Sequence, residues 1–363
     1  KTMDVVLENT KRYLSEQATA GATSAGNVAT LNRVILPVIR RVMPTVIANE
    51  IVGVQPMSGP VGQIHTLRIR YADTVASNTT AGEEALSPFK IAKAYSGNTN
   101  NTTPKAASTA SLEGTAGKRL SIQILKQPVE AKSRKLSARW TFEAAQDAQA
   151  QQGIDVEAEI MAALAQEITA EIDQEILTSL RALAGSAAAT FDQSAVSGTA
   201  TFVGDEHAAL AVLINQQANL IAQRTRRGAG NFAVVSSEAL TILQSATTSA
   251  FARTTEGTFE APTNTKFVGT LNNAMRVYVD GYAATGTDVL VGYKGSSEAD
   301  AAAFYCPYIP LMSSGVVLDP STFEPVVSFL TRYGYVELSN TASSLGNAAD
   351  YLARIAISNP SFS

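Results

Sequence analysis

Residues 155–184 read DVEAEIMAALAQEITAEIDQEILTSLRALA. Ile160, Leu164, Ile168, Ile172, Ile176 and Leu180 recur at every fourth position, with Met161, Leu177 and Leu183 beside them. That spacing lays one apolar stripe along a helix and predicts a single amphipathic α-helix, ~45 Å long at ~1.5 Å per residue. Asp155 and Glu157 fall in its first turn, where the helix dipole favours anions, and Gly185 stops it. No comparable stretch occurs elsewhere, so the helix serves as a spine for other elements rather than as half of a coiled coil.

Working upstream, residues 61–72, VGQIHTLRIRYA, alternate. Ile64, Thr66, Arg68 and Arg70 share one side; His65, Leu67, Ile69 and Tyr71 form a greasier one. A second strand follows at 119–126, RLSIQILK. Residues 73–117 between them are rich in Asn, Thr, Ser, Ala and Gly, the composition of a protruding excursion at the tip of a long hairpin. Residues 129–150 begin as a strand and turn helical. Residues 1–30 read as an arm, with a short helix over 4–17 and a small, polar linker after it; the more apolar 31–55 is interrupted by Pro37 and Pro44.

Downstream, 186–204 reads as a linker. A helix is expected from Asp205, its cap, to about Arg227; then a strand at Phe232–Val235, a helix over 236–246, a loop over 249–273, and strands at Met275–Val279 and Val289–Tyr293. This alternation predicts a compact α/β domain over 205–300. Residues 301–338 are strand-rich and are expected to return to the layer carrying the long helix.

Composition bounds the function. The 363 residues carry 28 Lys+Arg against 32 Asp+Glu, a net charge of −4, which argues against a general nucleic-acid coat. One cysteine, Cys306, excludes internal disulfides and thiolate metal clusters; two histidines, His65 and His207, leave little for acid–base or metal chemistry. No apolar run reaches the ~18 residues of a membrane span. Charged residues make up 17%, fewer than usual, so much of the surface is polar but uncharged and suited to packing against neighbours. Ser87 and Lys90 have the spacing of a serine acyltransferase motif without its Lys-Thr-Gly partner. No base–nucleophile pair stands out, and neither an enzyme activity nor a cofactor is expected.

One charge pattern remains. Between 118 and 139 lie seven basic residues, Lys118, Arg119, Lys126, Lys132, Arg134, Lys135 and Arg139, with a single acid, Glu130. Between 143 and 175 lie nine acids and no base, among them the ladder Glu167, Glu171 and Glu175 on one helix face. The ladder lacks the His that a di-metal helix places three residues after a Glu. Either these are two solvated faces or they are complementary patches that meet between copies of the chain; opposed potentials of that kind set register more than affinity.

IRRVMPTVIANEIVGVQPMSGPVG (39–62), the whole of 129–177, VYVDGYA (277–283), VLVGYKG (289–295), FYCPYIPL (304–311) and FEPVVSFLTRYG (323–334) together resemble, in collinear order, the major capsid proteins of T-even-like myophages. The resemblance implies an α+β fold of the HK97-like capsid type. Its parts would be an N-terminal arm (1–57), an extended β-hairpin loop (58–128, with a polar insertion at 73–117) and a peripheral domain with the spine helix (129–204). An axial α/β domain (205–300) and the return strands of the peripheral domain (301–363) would complete it. It further implies a virion protein assembled in the host cytoplasm into hexamers, pentamers of the same chain being left open, in an icosahedral shell around double-stranded DNA. Decoration, vertex and portal proteins would be its other partners. Proteolytic removal of a propeptide would make Lys1 the mature N-terminus. The excursion 73–117 departs from the relatives' folded insertion, being short and poor in aromatics. An encapsulin-like shell protein, a minor vertex protein of the same fold and, from another class, a hydrolase are the alternatives.

Overall fold

The structure is a computed structural model and describes residues 47–75, 79–85, 95–97, 106–114, 116–196, 203–246, 251–253, 267–272, 274–284, 286, 288–297, 300–338 and 348–360. The expected mature terminus Lys1, the arm before residue 47 and the Ser87–Lys90 pair lie outside these residues.

Two sheets and a hairpin share one spine. After the single helical turn Ala48–Ile51 come strands β1 (Gly53–Val54), β2 (Val61–Tyr71), β3 (Leu120–Glu130) and β4 (Lys132–Arg139). Helix α1 (Phe142–Gln152) follows, capped by the Thr141 side chain, which accepts from the Ala144 N–H. Gly153, at φ 68°, ends it in the left-handed region and lets the chain turn at once into α2 (Val156–Leu183). Asp155 caps α2, accepting from the backbone N–H groups of Glu157 and Ala158.

The rest of the chain is β5 (Ala189–Asp192), α3 (Val203–Thr225), β6 (Phe232–Val235), α4 (Ser237–Ser245), β7 (Phe251–Arg253), β8 (Phe267–Leu271), β9 (Met275–Val279), β10 (Val289–Gly292), β11 (Ala303–Ser313), β12 (Val317–Leu318), β13 (Pro325–Glu337) and β14 (Leu352–Ser358). β5-β14-β10-β6-β9-β8-β7 form a mixed seven-stranded sheet. On one of its faces Ala233, Val235, Val277 and Ile355 pack with Leu210, Ile214 and Ile221 of α3 and Leu240 and Leu243 of α4. On the other, Phe232, Val234, Tyr278 and Leu290 pack with Ile176, Leu177 and Leu180 of α2. Covered on both sides, β6 and β10 are buried at every residue, which explains why they read as continuous apolar runs.

The N-terminal half of α2 serves a different sheet. Leu164 and Ile168 pack on Val327 and Phe329 of β13, with Leu136, Ala138 and Trp140 beside them. β13 pairs antiparallel with β11 and with β4, and β1 joins β11 in parallel. One helix thus carries two cores end to end, as expected of a spine.

Several sequence expectations need correction. The 249–273 stretch contains the edge strand β7 and its neighbour β8. The 186–204 linker contains β5, and β14 pairs with β10 and β5, so the chain's end closes the seven-stranded sheet instead of the sheet of β13. Helix α3 starts at Val203, which puts Asp205 in its first turn rather than at its cap. The hairpin strand 119–126 extends to Glu130.

The hairpin of β2 and β3 pairs without interruption from Val61↔Glu130 to Tyr71↔Leu120. Its root lies on β13 because Gly334 has no side chain: a Cβ there would come within 2.5 Å of Val129 Cγ1. Met57, Ile64 and Val129 then pack with Phe304, Cys306 and Val336.

Candidate assembly surfaces

Side chains directly opposite each other in an antiparallel pair share a face. Leu67/Ile124, Ile69/Ile122 and Tyr71/Leu120 therefore line one face of the hairpin, with His65/Lys126 toward the root. This is the greasier side read from the sequence, but much of it points outward: Leu67, Ile122 and Ile124 are 65–69% exposed, whereas Tyr71 at the tip is buried against Tyr95. The inward side is the more polar one, and Arg68 is buried there against Glu84 at 3.3 Å. The inversion has a simple cause. A strand's two faces are fixed by what the subunit packs against, and the root residues Ile64 and Val129 commit the even-numbered side of β2 to the core. A contiguous apolar face left outside on a long hairpin marks an interaction surface.

Cations stand at both ends of that face. Lys126 is exposed near the root. At the tip, the Arg119 backbone N–H donates to Asp73 Oδ2 at 2.8 Å and holds the Asp73 carboxyl below its usual range. Lys118 Nζ lies 5.8 Å from the centroid of the Tyr95 ring, which itself packs on Tyr71.

The other predicted contact residues lie on both sides of β4. Lys135 is exposed on the outward side. Lys132, at the start of the strand and on the same side as Arg134, is exposed and adds a favourable charge near Glu175. Arg134 turns toward α2, where it donates to Glu171 Oε2 at 2.6 Å and to Glu175 Oε2 at 2.5 Å. Tyr333 OH donates to the same Glu175 oxygen at 2.5 Å, and Arg134 Nε donates to the phenol oxygen at 2.7 Å. Burial opposes charge on Arg134 and Glu175, yet their mutual hydrogen bonds and those with Tyr333 outweigh it. The guanidinium pKa is raised and the carboxyl pKa lowered. Burial, then the bond to Glu175, pushes the Tyr333 phenol up to about 12. Arg134, Glu171 and Glu175, expected to meet partners on another copy, thus engage one another inside the subunit, while Glu167 stays exposed.

Three anchoring groups escaped the sequence reading. Asp173 is 1% exposed, and its Oδ1 accepts the N–H groups of Ile47 at 2.9 Å and Ala48 at 2.6 Å. Its signal was present: it stands three and four residues before Ile176 and Leu177, on the apolar stripe. Asp280, after β9, accepts from Gln174 Nε2 and Arg181 Nη1, each at 3.0 Å, tying α2 to the seven-stranded sheet. Tyr333 sits in the strand paired with β4 and gave no sequence signal of its own.

The family described as Major capsid protein Gp23 matches residues 28–357. The chain is 30% identical to the major capsid protein of Vibrio phage KVP40 across 92% of its own length and 82% of the relative's. It is 31% identical to that of Enterobacteria phage T4 across 89% and 78%. The fold is similar to the solved mature capsid of bacteriophage PhiM1, with a TM-score of 0.54 at 13% identity over 91% of this chain and 93% of that one. The fold is thus the HK97-like α+β capsid fold, and the chain belongs to the Gp23 family, the major capsid proteins that build the heads of tailed bacteriophages.

Proposed function

We propose that the chain closes into hexameric rings, with the same chain serving as pentamers where the lattice curves, and that these tile an icosahedral head around double-stranded DNA. The outward apolar face of the β2–β3 hairpin carries this reading. Its exposed middle lies outside the subunit's own core, and an identical neighbour is its natural cover. The exposed cations Arg119, Lys126, Lys132 and Lys135, with the half-buried Lys118, meet acidic residues such as Glu167 on that neighbour and fix its register. A net charge of −4 suits an inner wall that confines DNA without gripping phosphates. No catalytic step is assigned to the chain. Assembly takes place in the host cytoplasm, and portal, vertex and decoration proteins complete the particle. Cryo-electron microscopy of purified particles tests this: six-fold capsomers with the hairpin lying on an adjacent subunit support it, and hairpins projecting free into solvent refute it.

A further inference from the structure

Between the root of the hairpin and the C-terminal end of α3 runs an open groove of about 830 Å³. His65 and Arg68 of β2 line one wall, and Arg224, Thr225 and Arg227 line another. Among the described residues, Glu84 is the groove's single carboxylate. Arg68 is only 7% exposed and, among the described residues, pairs with Glu84 at 3.3 Å. Arg227 is engaged behind the groove, 2.7 Å from Asp300 Oδ1. Arg224 makes no ion pair among the described residues. With Arg68 and Arg227 already paired, Arg224 is the groove cation that a carboxylate from outside the subunit satisfies.

Exposed carboxylates without ion pairs among the described residues occur at the other end of the subunit. Glu143 and Asp147 of α1 and Glu157 in the first turn of α2 are all exposed, on a stretch with no base. Phe142, at the start of α1, meets Phe323 just before β13 begins, whereas the groove is lined by Leu338, just after β13 ends. The 13 residues of β13 separate the two places by about 43 Å, at ~3.3 Å per residue. Rigid helices hold the acids there, so no subunit can reach its own groove with them.

We propose that this groove receives the acidic shoulder Glu143–Glu157 of a second copy of the chain, with Arg224 donating to its carboxylates. Groove and shoulder are different surfaces at opposite ends of one subunit, so the contact is heterologous, the kind that closes into rings when the rotation permits. The inference rests on the shell reading above and adds which surfaces meet.

The test uses assembled particles. Cys306 is buried and is the chain's single cysteine, so introduced thiols dominate any crosslinking. Chains carrying Thr225→Cys with Glu143→Cys, Asp147→Cys or Glu157→Cys in turn are assembled, oxidised and run on a denaturing, non-reducing gel. At least one pair is expected to give a ladder of multimers ending at the ring size. Particles that form but yield only monomers from all three pairs, including monomers closed by an internal bond, overturn the inference and leave the shell reading intact. Where a cysteine variant does not assemble, charge exchange decides. Arg224→Glu is expected to lower particle yield by about tenfold or more, as when one partner of an interfacial charge pair is reversed, and Asp147→Lys or Glu143→Lys in the same chain to restore it. Undiminished assembly of Arg224→Glu, or failure of both rescues, overturns it. A parent chain that forms no closed shell refutes the shell reading itself.

Discussion

Asp173 in the middle of α2 accepts the Ala48 backbone N–H at 2.6 Å, across 125 positions of sequence, and the neighbouring Ile47 N–H with the same oxygen. A single carboxylate oxygen therefore holds the backbone of Ile47 and Ala48 against α2. Asp173→Ala leaves two donors unmet beneath a buried apolar cluster and is expected to cost about 2–4 kcal/mol. Asp173→Asn keeps an acceptor and is expected to cost about 1 kcal/mol. Urea unfolding midpoints of the two variants check the order.

Arg134 binds two carboxylates of unequal standing. Glu175 also receives the Tyr333 hydroxyl, whereas Glu171 is close to half exposed and bonds only the guanidinium. Double-mutant cycles are expected to give a coupling of about 1–2 kcal/mol for Arg134 with Glu175, and under about 0.5 kcal/mol, falling with salt, for Arg134 with Glu171. Equal couplings would contradict the geometry.

The same network sets an acid limit. The folded-state pKa of Glu175 lies below its ordinary value of 4.5, so the native state binds its proton less tightly than the unfolded chain. That stabilisation is complete above about pH 4.5 and drains away as pH falls through the depressed folded value. Tyr333 behaves as its alkaline counterpart: its folded pKa is raised from 10 to about 12, and its contribution is lost across that interval as pH rises. Stability measured against pH is expected to fall less steeply below pH 4.5 in Glu175→Gln, and to fall less steeply in the alkaline interval in Tyr333→Phe.

Ile122→Lys and Ile124→Asp alter side chains that are about two-thirds exposed. Subunit stability is expected to change by no more than about 0.5 kcal/mol, while particle yield drops sharply. Thermal unfolding beside negative-stain counting separates the two effects; equal losses in both would place the hairpin face in the subunit's own core.

Gly334→Ala puts a methyl group within 2.5 Å of Val129 Cγ1, and the hairpin root must lift. A cost of about 1–3 kcal/mol is expected, with Val129→Ala in the same chain recovering part of it. Calorimetry on the single and double variants checks this.

The long helix was legible because its stripe runs for seven turns and both ends carry chemical punctuation, Asp155 and Gly185. The hairpin was legible from alternation, but not which way it faces. Alternation says only that two sides differ, and the packing of Ile64 and Val129 at the root decides which one is buried. β5 and β14 were missed because a short strand is fixed by partners far along the chain, as when Ile355 pairs with Val289, and no local pattern records that partner. β7 and β8 pair locally but, at three and five residues, are too short to show an alternation. The charge pattern marked Arg134, Glu171 and Glu175 as contacts between copies, whereas they pair within the subunit. It did not reveal that Arg134 sits on the inward side of β4 with Leu136 and Ala138 while Lys135 sits on the outward one.

β14, residues 352–358, lies between β5 and β10 rather than at an edge of its sheet. That sheet therefore closes only after residues 352–358 have been synthesised, and a chain made short of them lacks the finished body behind the hairpin.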